Sequence, residues 1–217
     1  MNIEQARYNM IEQQIRPWNV LDPHVLELLG AVKREDFVPL AHKALAFVDM
    51  EIPLPGGQAL LSPKVEARLV QEVNAQRHEK LLQIGVGSGY VTALLAHRAQ
   101  RVIAVDSSSE LVQLARTNLQ KSGVFNAEVR QADAAAGAVT DGPFDAIVLV
   151  GSVAQVPANL LQQLKVGGRL VAIVGDEPMM YATVVTRTAE KTFDSQQRWD
   201  TVAARLQGFV EPSRFKF

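Results

Sequence analysis

From Pro63 to Gly175 short apolar runs alternate with amphipathic stretches. KLLQIG, RVIAVD, AEVRQA, PFDAIVLVG and GGRLVAIVG read as strands. Between them, Lys64–Val73, Gly89–Ala96, Ser108–Gln120 and Pro157–Leu164 repeat their apolar positions at helical spacing. IVLV and LVAIV are apolar without alternation, which suits central strands covered on both sides. Strand-helix alternation of this kind predicts an α/β protein, a doubly wound and mostly parallel sheet with helices on both faces. Beyond Gly175 the strand-like MYATVVTRT gives way to a polar KTFDSQQ and a poorly periodic end. These predict antiparallel strands closing the sheet edge.

The N-terminal part has a different rhythm. Asn2–Ile15 is polar and helix-forming, with Ala6, Met10 and Ile11 on one face, and Pro17 is expected to end it. A second helix fits Pro23 to about Val32, capped by Asp22. Asp36 to Pro63 then has four prolines, two adjacent glycines and no sustained period. A connection of that length is uncommon unless functional, so it reads as an ordered loop laid over the body. The chain shows no repeat, low-complexity tract or Gly/Ser linker. One domain is predicted over 1–217: helices and covering loop at 1–63, a core at 64–175 and edge strands at 176–217.

Composition narrows the chemistry. The chain has 217 residues, 47% of them hydrophobic, enough to bury a sizeable core. Twenty-two basic against 23 acidic residues leave a formal charge of -1, which argues against nucleic acid and anionic membrane as partners. The absence of cysteine removes disulfides, thiolate catalysis and thiolate-bound zinc, and suits a reducing cytosol. No apolar run reaches the roughly 20 residues of a membrane helix, and a cytoplasmic, unexported protein is expected. His24, His42, His78 and His97 are scattered without metal-ligand or dyad spacing and read as surface residues. Trp18 and Trp199 read as packing residues, and the basic aromatic end SRFKF as a docked or frayed terminus.

LLQIGVGSGYVTALL carries the strongest local signal. Gly85, Gly87 and Gly89 end a strand and open a helix, where missing side chains let a ligand approach bare backbone. A glycine turn without a ligand would look similar. The dinucleotide spacing G-x-G-x-x-G is not met, because position 90 is Tyr90, so nicotinamide and flavin are disfavoured. Asp106 ends the next strand, about 20 residues on, where a carboxylate takes a ribose hydroxyl. It could instead cap the following helix, but Ser107 to Ser109 can serve there. Asp133 follows the third strand, and an adenine contact and a turn-forming role are equally open for it.

Together these features resemble S-adenosylmethionine-dependent methyltransferases. More closely, MIEQQIR, DPHVLE, REDFVP, AFVDMEIPLPGGQ, IGVGSGYVTALLA, PFDAIVL and LKVGGRLV occur in the order seen in protein-L-isoaspartate O-methyltransferases. The likeness spans Met10 to Gly175, about three quarters of the chain, and IGVGSGY followed at this distance by PFDAI is its most specific part. The last 40 residues match loosely. The resemblance implies a Rossmann-like methyltransferase sheet, S-adenosyl-L-methionine as cofactor, and a protein or peptide substrate bearing L-isoaspartyl or D-aspartyl residues. It would place Gly85, Gly87 and Gly89 at the cofactor's methionine end, Asp106 at the ribose, and Asp133 with Ala134 at the adenine. Ser88 and Ser107 join this binding set. Gln58, Ala59, Leu60, Leu61 and Ser62 would lie across cofactor and substrate.

Methylating a carboxylate of pKa about 4 needs no general base at pH 7, which fits the scattered histidines. Two positions depart from the family's pattern. Its loop reads G-Q-T-I-S-Q-P, whereas this chain reads GQALLSP; the active-site serine's place is taken by Leu61, and Ser62, the candidate catalytic hydroxyl, stands one position late. The acid expected on the first strand, at the methionine ammonium, is Gln83. A methyltransferase of the same fold acting on another acceptor, and a nucleoside-binding protein without turnover, are therefore the alternative readings.

Overall fold

The computed structural model describes residues 2–137 and 139–211. Its centre is a seven-stranded sheet in the order β5-β4-β3-β6-β7-β8-β9. The five parallel strands are β3 (Lys80–Ile84), β4 (Arg101–Asp106), β5 (Ala127–Gln131), β6 (Phe144–Val153) and β7 (Leu164–Asp176). Two antiparallel strands, β8 (Met179–Ala189) and β9 (Thr192–Thr201), extend one side, as the tail's pattern predicts. Leu82 sits between Ile103 and Ile147 in register. Alternate residues on the central strands feed two apolar clusters, one on each face.

One face packs against α3 (Pro63–Val73), α4 (Tyr90–Ala96) and α5 (Ser109–Lys121) through Leu81, Val102 and Val148. The other face, bearing Leu82, Ile103 and Ile147, receives Leu160 of the short α6 (Ala158–Leu161) and Leu206 from the C-terminal segment. The helix expected over Pro157–Leu164 is shortened because β7 begins at Leu164 and extends seven residues upstream of Val171.

At the N-terminus α1 (Ile3–Asn9) does not stop where the proline rule puts its end. Met10–Ile15 winds as a wider π-helix, in which Arg16 N–H bonds back to Ile11, and Arg16–Trp18 forms a further 3-10 turn. Arg16 is helical at φ -57 and ψ -43 despite preceding Pro17. The change of helix type accommodates the proline, whose ring begins the new turn, where an N–H has no helical partner to meet. Trp18 is also a correction: it is 47% exposed, with the Lys64 ammonium 4.0 Å from its ring centroid, whereas Trp199 is buried beside Arg68. α2 (Pro23–Ala31) is capped as expected, Asp22 accepting the His24 N–H at 2.8 Å.

The long connection carries 3-10 turns and a two-residue hairpin, β1 (Ile52–Pro53) with β2 (Ala59–Leu60). Arg34 pins it from beneath. Its guanidinium donates to the Ala46 and Leu61 carbonyls, both at 2.7 Å, and to the Glu66 carboxylate on α3 at 3.0 Å. A neighbouring buried pair, Arg7 and Glu35, ties α1 to the same region.

After β9 the chain returns across the carboxyl end of β6. Ser152 donates its N–H to Ala204 O, and Leu206 donates its own to Ser152 O. Glu51 and Gly56 of the long connection are bonded to this segment through Ala204 N–H and the Gln207 amide. Among the described residues no helix is long and apolar enough to cross a membrane. SRFKF lies outside the described residues.

Candidate active site

Strand order reverses at β3, whose neighbours β4 and β6 run off to opposite sides. The crevice outside such a carboxyl edge is where open α/β sheets bind ligands. Here the chain leaves β3 through Gly85, Gly87 and Gly89, all at positive φ (80°, 53° and 90°). Their reasons differ. A Cβ on Gly89 would press on Ala115 of α5 at 3.3 Å, so this glycine serves helix packing. One on Gly85 would meet the Val150 carbonyl at 2.9 Å and Leu206 Cδ2 at 2.6 Å. Gly87 faces more open space, with Leu54 Cδ1 at 3.5 Å from a Cβ there.

Asp106 fixes this turn to its neighbour strand. One carboxylate oxygen accepts the Val86 N–H at 3.0 Å and the other the Ser108 N–H at 2.9 Å. The cap of α5 is Ser108, whose hydroxyl accepts the Leu111 N–H. Each carboxylate oxygen can accept a further bond, so Asp106 can brace the turn and still take a hydroxyl at its mouth.

Two small hollows share Gly85 and Asp106 in their linings. The outer one gathers Ser107, Asp133 and Ala134, roofed by Leu206, Gln207 and Phe209. Asp133 accepts the Ala136 N–H at 3.0 Å through Oδ1, a turn contact that occupies one oxygen only. The inner hollow runs behind Gly87 and is walled by Ala59, Leu60 and Leu61, with Glu66 and Tyr90 at its depth. Gln58 borders both.

Four expected residues, Ser88, Gly89, Gln83 and Ser62, line neither hollow. Ser88 and Gly89 lie on the helix-packing side of the turn: Ser88 is fully buried, and its carbonyl accepts the Asn118 side-chain amide. Gln83 is buried in the sheet under the turn, its amide donating to Gly85 O at 3.1 Å and its Oε1 without a partner among the described residues. The loop also separates its two critical positions. Leu61 turns to the inner hollow, while Ser62 lines a third, open groove with Trp18, Lys64, Glu177 and Asp200. Ser62 is 8% exposed and makes no capping bond to α3.

Glu66 and Tyr90 escape a reading of pattern alone. Both lie inside helices, and both are completely buried where their sequence neighbours are apolar. An acid among VEARLV at an inward position is the signal that could have marked Glu66. Burial pushes its carboxyl up to about 7, against the pull of Arg34. Burial also raises the Tyr90 hydroxyl, so it stays a proton donor. Glu66 Oε1 and the Tyr90 hydroxyl have no hydrogen-bond partner among the described residues. Leu206 and Phe209 come from the stretch without period and are legible only once the chain folds back over β6.

This lining suits an elongated nucleoside bearing an amino-acid end. Carboxylates stand at the mouth, bare backbone at the bend, and unpaired polar atoms at the far end. A profile of the family described as protein-L-isoaspartate(D-aspartate) O-methyltransferase (PCMT) matches residues 5–203. The chain belongs to this family. A protein-L-isoaspartate O-methyltransferase 1 from Syntrophobacter fumaroxidans is 40% identical over 176 residues, 81% of this chain and 82% of that one. A protein-L-isoaspartate O-methyltransferase 2 from Marinobacter nauticus is 34% identical over 95% of both chains. The fold is shared with a Plasmodium falciparum protein-L-isoaspartate O-methyltransferase solved with S-adenosyl-L-homocysteine, at a TM-score of 0.77 and 17% identity, covering 95% of this chain and 99% of that one. The PCMT profile ends at residue 203, short of Leu206, Gln207 and Phe209 over the outer hollow.

Proposed function

We propose that this protein is an S-adenosylmethionine-dependent carboxyl methyltransferase acting on isoaspartyl residues of damaged proteins, the activity for which its family is named. The observation that carries the reading is the pair of adjoining hollows that share Gln58, Gly85 and Asp106 and reach Asp133 on one side and Glu66 on the other, in a chain whose family profile covers nearly its whole length. S-adenosylmethionine, when bound, supplies an electrophilic methyl on a sulfonium. Asp106 would accept the ribose hydroxyls, with Ser107 beside it, and Asp133 with Ala134 would border the adenine. Gly85 and Gly87 would let the chain pass close to the sulfur, and Gln58 to Leu61 would separate the transfer site from solvent.

The chain's residues need move no proton. An acceptor carboxylate is ionised at pH 7, its oxygen forms the bond to the methyl carbon, and the carbon–sulfur bond breaks in the same displacement. Alignment and exclusion of water are the protein's work, worth up to about 7–11 kcal/mol in favourable systems. The substrate would approach along the groove that Ser62 lines, which opens beside Trp18 and Lys64.

A second reading, another acceptor on the same fold, is favoured by one observation: the side chain presented to the inner hollow by the loop is the buried, apolar Leu61, where the family's pattern carries a hydroxyl. The deciding experiment offers labelled S-adenosylmethionine and two peptides differing only in isoaspartate against aspartate. Base-labile label on the first alone is expected. Cofactor binding without label on either peptide would transfer the case to the second reading.

A further inference from the structure

The inner hollow is lined by two unsatisfied groups, Glu66 and the Tyr90 that ends the family-like IGVGSGY stretch. Glu66 reaches it from α3 with one oxygen bonded to Arg34 at 3.0 Å and the other unpartnered; the Tyr90 hydroxyl, from the first turn of α4, is unpartnered too. Both side chains are buried completely, and a buried polar atom without a bond is costly enough to call for an explanation. The remaining polar groups near Gly87 do not offer the same thing. Gln83 and Ser88 each keep an unpartnered oxygen but are uncharged and do not line this hollow, and both Asp106 oxygens already accept backbone amides, from Val86 and Ser108.

We infer that Glu66 is the anionic partner of the cofactor's α-ammonium group, taking over from α3 the role left vacant by the neutral Gln83, with Tyr90 donating its hydroxyl to the adjacent α-carboxylate. This rests on the proposed cofactor and orientation. With the ribose at Asp106 and the adenine toward Asp133, the amino-acid end points away from both, behind Gly87, where Glu66 and Tyr90 line the wall. One free acceptor and one free donor at that end match the two charges of a zwitterion. Arg34 holds the carboxylate in place while leaving one oxygen clear, and its other two bonds, to Ala46 and Leu61, keep it from following a ligand.

The test is calorimetric binding at pH 8, where the Glu66 carboxyl is ionised, with no turnover required. Wild type and Glu66→Gln are titrated with S-adenosylhomocysteine and with the analogue that lacks only its amino group. The glutamine retains a carbonyl for Arg34, and thermal unfolding checks that the fold survives. Wild type is expected to prefer the amino ligand by about tenfold or more, the scale of a charge-assisted bond. Glu66→Gln should lose that preference while binding the deaminated analogue as wild type does. Equal weakening toward both ligands would assign Glu66 a purely structural part and overturn the inference, as would an undiminished preference. Failure of wild type to bind either ligand would instead remove the cofactor reading beneath it. If the glutamine variant does not fold, Glu66→Asp, which keeps the charge and withdraws it from the hollow, is read by the same comparison.

Discussion

Arg34 and Glu66 meet at 3.0 Å with side chains 1% and 0% exposed, and that contact joins the long connection to the helix that follows it. Arg34 also carries the carbonyls of Ala46 and Leu61, so its loss frees three acceptors at once. Arg34→Met should cost about 3–5 kcal/mol in denaturant unfolding, the range for breaking a buried pair from one side. An unchanged midpoint would contradict this.

Glu66 also sets a pH dependence. Its folded pKa, about 7, lies above the ordinary 4.5, mainly through burial, so between these values the folded chain keeps a proton that the unfolded chain releases. The stabilisation is complete below the unfolded value and disappears as pH rises through about 7. Relative to Glu66→Gln, wild type should lose stability between pH 5 and pH 8, by up to about 3 kcal/mol. Parallel curves for the two proteins would refute the shift. The groups facing this carboxyl are Arg34 and Tyr90, with Glu35 and Arg7 further off.

Asp106→Ala should act on stability and binding together. It strips the Val86 and Ser108 amides of their acceptor, at about 1–3 kcal/mol, and removes the carboxylate from the pocket mouth. Calorimetry should find affinity for S-adenosylhomocysteine reduced at least tenfold. Full affinity in the variant would leave the ribose assignment without support.

Leu61→Ser tests the loop. Removing a side chain that is 1% exposed should cost about 2–5 kcal/mol. Returning a hydroxyl to the inner hollow should nevertheless raise kcat/KM on an isoaspartyl peptide. A variant that is less stable and no faster would point to a different acceptor.

The sheet was open to reading because its strands are buried on both faces and therefore written as unbroken apolar runs, IVLV and LVAIV above all. The glycines and Asp106 were legible for a similar reason: positive φ and a strand-end carboxylate are local demands. Glu66, Tyr90 and Leu206 were not, because what distinguishes them is a missing hydrogen bond or a contact between distant segments. Pro17 misled for a comparable reason. The rule against helix before proline is local, and a change of helical winding over Met10–Ile15 overrides it.

The segment over the outer hollow is fastened partly by peptide groups, the N–H and C=O of Ser152 meeting those of Ala204 and Leu206, and partly by side chains, Gln207 donating to Gly56 O and Arg205 to Gly175 O and Asp176. The peptide part of this fastening is nearly blind to side-chain identity. Leu206 adds an apolar contact that depends on its side chain, wedged where even a methyl on Gly85 would collide with it. A ceiling held in part by main chain needs fewer fixed letters than the glycine turn beneath it, so of the two it is the harder to recognise as text.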